Sequence, residues 1–111
     1  HMMYQKALLF EDYDIADKII ATTNPRKQKE LGRQVSNFDN NTWKENCRRI
    51  VYEGNKLKFL QNEDLLTALL NTNDQLLVEA SPNDAVWGIG LAANDERALN
   101  METWQGTNWL G

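Results

Sequence analysis

The 111-residue chain is long enough for one domain and too short for two comfortable ones. Its composition of 41% hydrophobic and 25% charged residues excludes a disordered chain, and no apolar run approaches the roughly 20 residues that a membrane-spanning helix needs. The net charge of −4 argues against a general nucleic-acid surface, which is normally basic, but it allows a local cluster of cations that binds one phosphorylated ligand.

Apolar residues recur at helical spacing through the first two thirds of the chain and predict five helices. The second helix can be capped by Asp12 or Asp14, the third by Asn24 and the fifth by Asn62, because short polar side chains satisfy the free amides at helix starts. The predicted helices cover residues 2–10, 15–20, 25–35, 42–60 and 65–70.

The fourth helix is the longest of the five and carries one apolar stripe. The stripe consists of Trp43, Cys47, Ile50, Val51, Gly54 and Leu57. Glycine within a helix costs about 1 kcal/mol relative to alanine. The position of Gly54 on the stripe therefore predicts a close backbone approach by a neighbouring element.

The last third of the chain shows little periodicity. Residues 75–80 form a short run bounded by turn residues and are predicted to be a strand. Residues 92–99 are ambiguous, and the rest of the chain after Gly90 is mostly loop by composition. We therefore predict a mainly α fold, a single-domain orthogonal helical bundle with one or two short β-strands, over residues 1–111.

Two cations and one tryptophan in the helical part could belong to a binding site. Lys6 and Arg33 could face an anionic group, since arginine contacts phosphate through two N–H groups and lysine supplies a point charge. The alternative is a solvated helix face. Trp43 lies on the apolar stripe, where core packing is the default interpretation. The chain contains no phosphate loop, dinucleotide fingerprint or zinc-ligand spacing.

The loop over residues 81–90 is the most informative stretch of the sequence. It places the Asp84 carboxylate and the Trp87 indole beside two glycines, Gly88 and Gly90, where a backbone can approach a ligand closely. A carboxylate beside an indole suits a site that stacks a flat ring and stabilises a developing positive charge. The alternative is a tight turn that Asp84 caps and whose Trp87 packs into the core.

Other residues with reactive or charged side chains are assigned to packing. One cysteine and one histidine cannot form a disulfide or, by themselves, a zinc site, and Cys47 is interpreted as a small buried hydrophobe. Glu79, near the end of the predicted strand, could be a buried partner for an arginine. We expect a cytoplasmic protein that uses no metal and no cofactor.

Several segments of the chain become informative when they are taken in order. They are residues 2–7 (MMYQKA), 31–33 (LGR), Trp43, 77–82 (LVEASP), 84–90 (DAVWGIG), 98–100 (ALN) and 104–111 (WQGTNWLG). Together they resemble the YbiA-like proteins of the NADAR superfamily. The match spans essentially the whole chain, and the Trp87–Gly90 neighbourhood is its most specific part.

The resemblance implies a mainly α-helical fold and N-glycosidase chemistry on a base linked to ribose-phosphate. It implies two substrate classes, the phosphoribosylamino-pyrimidine intermediates of riboflavin synthesis and ADP-ribose attached to guanine in nucleic acid. By motif position, Lys6 and Arg33 would contact the ligand. Trp43 and Trp87 would line the pocket, and Asp84 would be its acid.

The family pattern also extends beyond this chain. Family members carry a Ser-Glu-His-type segment just upstream of the helix that corresponds to residues 2–10, and its Glu is their prime catalytic candidate. The chain begins at His1, after that position, and the family usually continues past residue 111 into a closing helix. We therefore expect residues 1–111 to be a single YbiA-like domain truncated at both ends.

Three functions are compatible with this sequence. The first is a hydrolytic N-glycosidase in which Asp84 stabilises positive charge on the ribose or activates water, while Lys6 and Arg33 hold a phosphate. The second is a module that binds ADP-ribose or a related nucleotide without cleaving it. The third is a helical interaction domain with no small ligand. For the first two functions, we expect the partner to be a small phosphorylated ribosyl substrate or ADP-ribosylated nucleic acid. We expect no membrane partner.

Overall fold

The computed structural model describes all 111 residues and contains five α-helices. They are α1 (Met2–Leu9), α2 (Tyr13–Ile20), α3 (Pro25–Arg33), α4 (Asn40–Leu60) and α5 (Glu63–Leu70). Two short 3₁₀ helices follow at Glu96–Leu99 and Met101–Thr103. No helix combines the length and the apolar character that crossing a membrane requires.

Polar side chains determine where three of the helices begin. Asp12 accepts a hydrogen bond from the Ile15 amide at the start of α2 (3.2 Å), and Asn24 accepts one from the Arg26 amide at the start of α3 (3.0 Å). These two caps are as predicted. The fourth helix begins two residues before the predicted Thr42, because Asp39 caps it.

The predicted strand is absent. Residues 75–80 contain no regular secondary structure. The Asn108 side chain takes the place of a partner strand, since its Nδ2 donates to the Leu77 carbonyl (3.0 Å) and its Oδ1 accepts from the Glu79 amide (2.9 Å). One side-chain amide satisfies one pair of backbone groups and cannot continue a ladder. The expectation of one or two β-strands in the fold is therefore wrong.

The chain divides into two compact units, His1–Leu66 and Thr67–Gly111, with the boundary inside α5. In the first unit, α1 packs against α2, α3 and α4, and α2 packs against α3. Partly buried side chains, Trp43 among them, cover this core. The buried core residues are Ala7, Phe10, Ile15, Ala16, Ile19, Leu31 and Val35.

Two glycines of the first unit permit close packing against side chains. A Cβ atom at Gly32 would collide with the Met3 side chain, so glycine lets α1 and α3 approach each other at this point. A Cβ atom at Gly54 would meet the imidazole of His1, and no backbone atom is among its nearest neighbours. The predicted close backbone approach at Gly54 is therefore wrong, because a side chain fills that space.

The second unit has little regular structure and a small apolar interior. Its buried hydrophobic residues are Ile89 and Leu91. Hydrogen bonds between backbone groups, and from polar side chains to backbone, hold its loops in place. This unit carries the loop over residues 81–90.

Candidate functional site

The predicted site residues fall into two groups, one in each compact unit. Lys6, Arg33 and Trp43 belong to the first unit. Asp84, Trp87, Gly88 and Gly90 belong to the second. Each group is described by itself.

A cation–aromatic cluster is formed by Lys6 of α1, Phe38 between α3 and α4, and Trp43 near the start of α4, and the charge of Arg33, at the end of α3, acts on Lys6. The Lys6 ammonium is 4.7 Å from the centre of the Phe38 ring and 5.7 Å from that of Trp43. Cation–π attraction at such distances is worth about 0.5–1 kcal/mol at exposed sites and more where water is excluded. The aromatic rings therefore hold the Lys6 head group in place.

Lys6 also caps the end of α3. Its Nζ donates to the Gly32 carbonyl at 2.8 Å, and carbonyls in the last turn of a helix have no partner within the helix. This bond uses one of the three N–H groups of the ammonium, so two remain for a ligand.

The charge of this cluster is not neutralised within the protein. Neither Lys6 nor Arg33 forms a salt bridge, and the three salt bridges of the chain involve other residues. Partial burial lowers the pKa of Lys6, and the positive charge of Arg33 lowers it further. Both causes disfavour the ammonium form of Lys6. A bound anion would offset the repulsion from Arg33 and favour the ammonium form.

Phe38 is the member of the cluster that sequence reasoning missed. It falls in a segment, residues 37–41, whose composition predicts only a loop. Its ring packs against Phe10 with the ring centres 5.3 Å apart, and 45% of the residue is exposed. The sequence carried no signal for this role, because single exposed hydrophobic residues are common on protein surfaces and this chain has many of them.

In the second unit, Asp84 organises the turn that carries Trp87. Its Oδ1 accepts from the amides of Val86 (3.0 Å) and Trp87 (2.8 Å), which is the geometry of an Asx turn. Its Oδ2 forms no hydrogen bond. The structure thus shows the turn role that the sequence offered as an alternative, while the catalytic role of Asp84 stays a prediction.

Trp87 is half-buried and packs edge-on against Trp109, with ring centres 5.9 Å apart and ring planes at 77°. Edge-to-face contact of this kind is favourable for aromatic rings and fixes the orientation of each indole. The indole is therefore held in one orientation without being enclosed.

Gly88 and Gly90 are required by contacts within the protein. A Cβ atom at Gly88 would lie 2.7 Å from the Glu79 carbonyl oxygen, and Gly90 has a φ of 71°, which disfavours other residues. A Cβ at Gly90 would also lie 3.0 Å from the Gln105 carbonyl oxygen. Protein backbone makes the close approach at both positions, and their contact with substrate stays a prediction.

Glu79 differs from its predicted role. It is exposed and forms no salt bridge, so it is not the buried partner of an arginine. Its carbonyl accepts from the Ile89 amide at 2.9 Å, and its Cγ lies beside Gly88. The backbone of Glu79 therefore ties residues 75–80 to the loop over residues 81–90, called the Asp84 loop below.

The sequence profile of the NADAR domain matches residues 1–111 of the chain. The chain belongs to the NADAR family. The predicted family resemblance is thereby confirmed. The two groups of residues described above accordingly lie within a NADAR domain.

Named relatives of the chain cover it fully or in large part. N-glycosidase R617 of Acanthamoeba polyphaga mimivirus is 46% identical over 111 residues, which are 100% of this chain and 65% of the relative. Protein irg-1 of Caenorhabditis elegans is 44% identical over 113 residues, 100% of this chain and 53% of the relative. N-glycosidase YbiA of Escherichia coli strain K12 is 30% identical over 87 residues, 78% of this chain and 54% of the relative. The chain thus spans less than two thirds of the length of each.

Proposed function

We propose that the protein is a hydrolase that cleaves the N-glycosidic bond between a base and a phosphoribosyl or ADP-ribosyl group. The observation that carries the proposal is the Lys6–Arg33 pair: neither cation has a carboxylate partner, Lys6 lies partly buried beside two aromatic rings, and the exposed Arg33 acts on its charge. The names of two relatives, N-glycosidase R617 and N-glycosidase YbiA, support the reaction class.

The cation–aromatic cluster fits a phosphorylated ligand. A phosphate would accept from the two remaining N–H groups of Lys6 and from the guanidinium of Arg33, and would relieve their mutual repulsion. Suitable ligands are phosphoribosylamino-pyrimidines of riboflavin synthesis and ADP-ribosylated guanine.

The Asp84 loop fits the chemical step. Hydrolysis forms a bond between water oxygen and the ribose C1′, breaks the bond from C1′ to the base nitrogen, and transfers a proton from water to the departing base. Asp84 Oδ2 has no partner within the protein and can accept that proton or stabilise the positive charge on the ribose. The Trp87 ring would stack on the base.

A non-catalytic ADP-ribose-binding module is the second candidate. The observation that favours it is that Oδ1 of Asp84 already serves two backbone amides of its own turn. The carboxylate could then be present for the turn alone. Such a module would bind ADP-ribose through the same cations and release it unchanged.

Binding and turnover of the full-length protein separate these candidates. Calorimetry with ADP-ribose measures the affinity, and chromatography detects the free base released from a ribosylated pyrimidine and from ADP-ribosylated guanine. Lys6→Met keeps much of the length and the apolar contacts of the side chain but removes the charge, and is expected to weaken ADP-ribose binding by about tenfold or more.

Lys29→Met is the matched control. Lys29 is exposed on α3, the helix that also carries Arg33, and forms no salt bridge, so its loss is expected to leave the affinity unchanged. Binding without release of the base supports the second candidate. A folded protein that neither binds ADP-ribose nor cleaves either substrate would refute both.

A further inference from the structure

We propose that Asn108 is the positioning residue of the Asp84 loop. Its side chain holds residues 77–79 in place through the bonds to the Leu77 carbonyl and the Glu79 amide. The inference rests on the proposed function, because the loop that Asn108 positions carries the acid and the indole assigned to the substrate. Sequence reasoning gave Asn108 no individual role.

The backbone around Asn108 holds the other side of the same loop. The Asn108 amide donates to the Gly88 carbonyl at 3.0 Å, and the Leu110 amide donates to the Trp87 carbonyl at 3.0 Å. Thr107 donates twice, from its amide to Ala85 at 2.9 Å and from its hydroxyl to Val86 at 2.6 Å. The turn over residues 107–110 therefore binds four consecutive carbonyls of the loop, those of residues 85–88.

Glu79 connects these two sets of hydrogen bonds. Asn108 binds the Glu79 amide, and the Glu79 carbonyl accepts from the Ile89 amide at 2.9 Å, one residue beyond Gly88. Loss of the Asn108 side chain removes both of the side-chain bonds to residues 77–79. The Asp84 loop would then keep its bonds to the turn over residues 107–110, but residues 77–79 on its other side would no longer be fixed.

The conformation of Asn108 explains why this residue type suits the position. Its φ of 52° lies in the left-handed region, which asparagine and glycine tolerate better than other residues. Asparagine alone among common residues combines that tolerance with a short amide that both donates and accepts. A Cβ atom at Gly111 would collide with the Asn108 amide and the Leu77 carbonyl, which shows how closely the chain encloses this group.

Positioning is expected to act on substrate binding as well as on stability. A stacked indole contributes to affinity only if it is held in the stacking geometry, and binding geometry in a site is sensitive to small displacements. A loop that samples several positions should bind ADP-ribose less tightly. Loss of folded protein, in contrast, lowers the number of sites that calorimetry counts and leaves the affinity of each intact site unchanged.

Asn108→Gly tests the inference, because glycine keeps the left-handed backbone and removes both side-chain bonds. The exchange rate of the Glu79 amide, measured by NMR, is expected to rise by about tenfold or more. The dissociation constant for ADP-ribose is expected to rise by about tenfold at an unchanged number of binding sites. Asn108→Asp keeps the acceptor for Glu79 and loses the donor to Leu77, so intermediate values are expected.

Asn73→Gly is the matched control. Asn73 also has a left-handed φ, 51°, but its side chain makes only a local bond to the Asn71 carbonyl at 3.4 Å. This variant should match the wild type in exchange of the Glu79 amide and in affinity. An Asn108→Gly protein with wild-type exchange or wild-type affinity would overturn the inference alone, whereas a folded wild-type protein that neither binds ADP-ribose nor cleaves either substrate overturns the proposed function and the inference together.

Discussion

The two compact units of the chain are stabilised in different ways. In the first unit, residues of α1, α2 and α3 and of the segments that follow them form a continuous buried core, which Trp43 of α4 helps to cover, and polar side chains act mainly at helix ends. In the second unit, two buried hydrophobic residues are accompanied by a network of hydrogen bonds between loops. Individual polar and glycine residues therefore carry more of the structure in the second unit than in the first.

The difference follows from how each unit satisfies its backbone. Helices satisfy their internal N–H and C=O groups locally, so their side chains are free to pack. Loops must find partners elsewhere, and in the second unit these partners are backbone groups of other loops and side chains such as Asp84, Thr107 and Asn108. In the first unit, the volume and polarity of a new side chain should decide whether a substitution is tolerated. In the second unit, the decisive property should be whether the new residue keeps the hydrogen bonds and backbone conformation of the original.

The largest expected effect comes from Gly88→Ala. The added Cβ would lie within 3 Å of two carbonyl oxygens, those of Glu79 (2.7 Å) and Asp84 (2.9 Å), and backbone atoms cannot move aside as a flexible side chain can. We expect the loop to lose its native arrangement, with loss of the near-ultraviolet circular dichroism of Trp87 and Trp109. A native spectrum and native stability would show that the loop is more adaptable than its packing implies.

Gly54→Ala is the control for the first unit. Here the nearest atoms to the added Cβ belong to the His1 imidazole, a side chain that can rotate away, and alanine favours a helix by up to about 1 kcal/mol over glycine. We expect urea unfolding to show equal or higher stability. A marked loss of stability would contradict the proposed contrast between the units.

The second largest effect is expected in the apolar core of the first unit. Ile19 is 2% exposed, and Ile19→Ala should cost about 2–5 kcal/mol of unfolding free energy, whereas Ile19→Val should cost about 0.5–1.5 kcal/mol. Urea denaturation measures both values. Equal losses in the two variants would mean that volume does not govern this core.

The first unit could be predicted well because its information is periodic. Apolar spacing identified α1 to α4, and the caps Asp12 and Asn24 fixed the starts of α2 and α3. The second unit could be predicted poorly because its bonds join residues far apart in sequence. The Asn108–Leu77 bond spans 31 positions. Nothing in the sequence of residues 75–80 shows that this segment pairs with one side chain and not with a neighbouring strand.

The candidate site shows the same contrast. Lys6 and Arg33 could be proposed from residue type and family order, and the structure places both in a cluster with Trp43. Phe38 and Asn108 could not be assigned, because their roles depend on contacts with Lys6 and Glu79 that only the fold creates. Sequence patterns thus supply candidate site residues, whose roles stay predictions, but not the residues that contact them.

A smaller effect is expected from alkaline pH on ligand binding by the first unit. The pKa of Lys6 is lowered from the ordinary value of 10.5 by burial and by Arg33, so the ammonium loses its proton at a lower pH than in the unfolded chain. Affinity for ADP-ribose should therefore fall as pH rises through the lowered pKa, below 10.5. Calorimetry from pH 7 upward measures this loss, and Lys6→Arg should bind with little pH dependence, since arginine keeps its charge. An identical decline in Lys6→Arg would assign the titration to another group.

The smallest effect is expected from Asp12 at acidic pH. Its carboxylate accepts from the Ser36 amide (2.9 Å) and caps α2, and these bonds lower its pKa below the ordinary 3.8. A carboxyl with a lowered pKa in the folded state stabilises the fold above its unfolded value and loses that contribution as pH falls through the folded value. Urea midpoints of the wild type should therefore decline below about pH 4, with a smaller decline in Asp12→Asn.

Since Ser36 precedes Phe38 by two residues, the same variant should also loosen the Phe38 ring beside Lys6, which a weaker affinity for ADP-ribose at neutral pH would reveal.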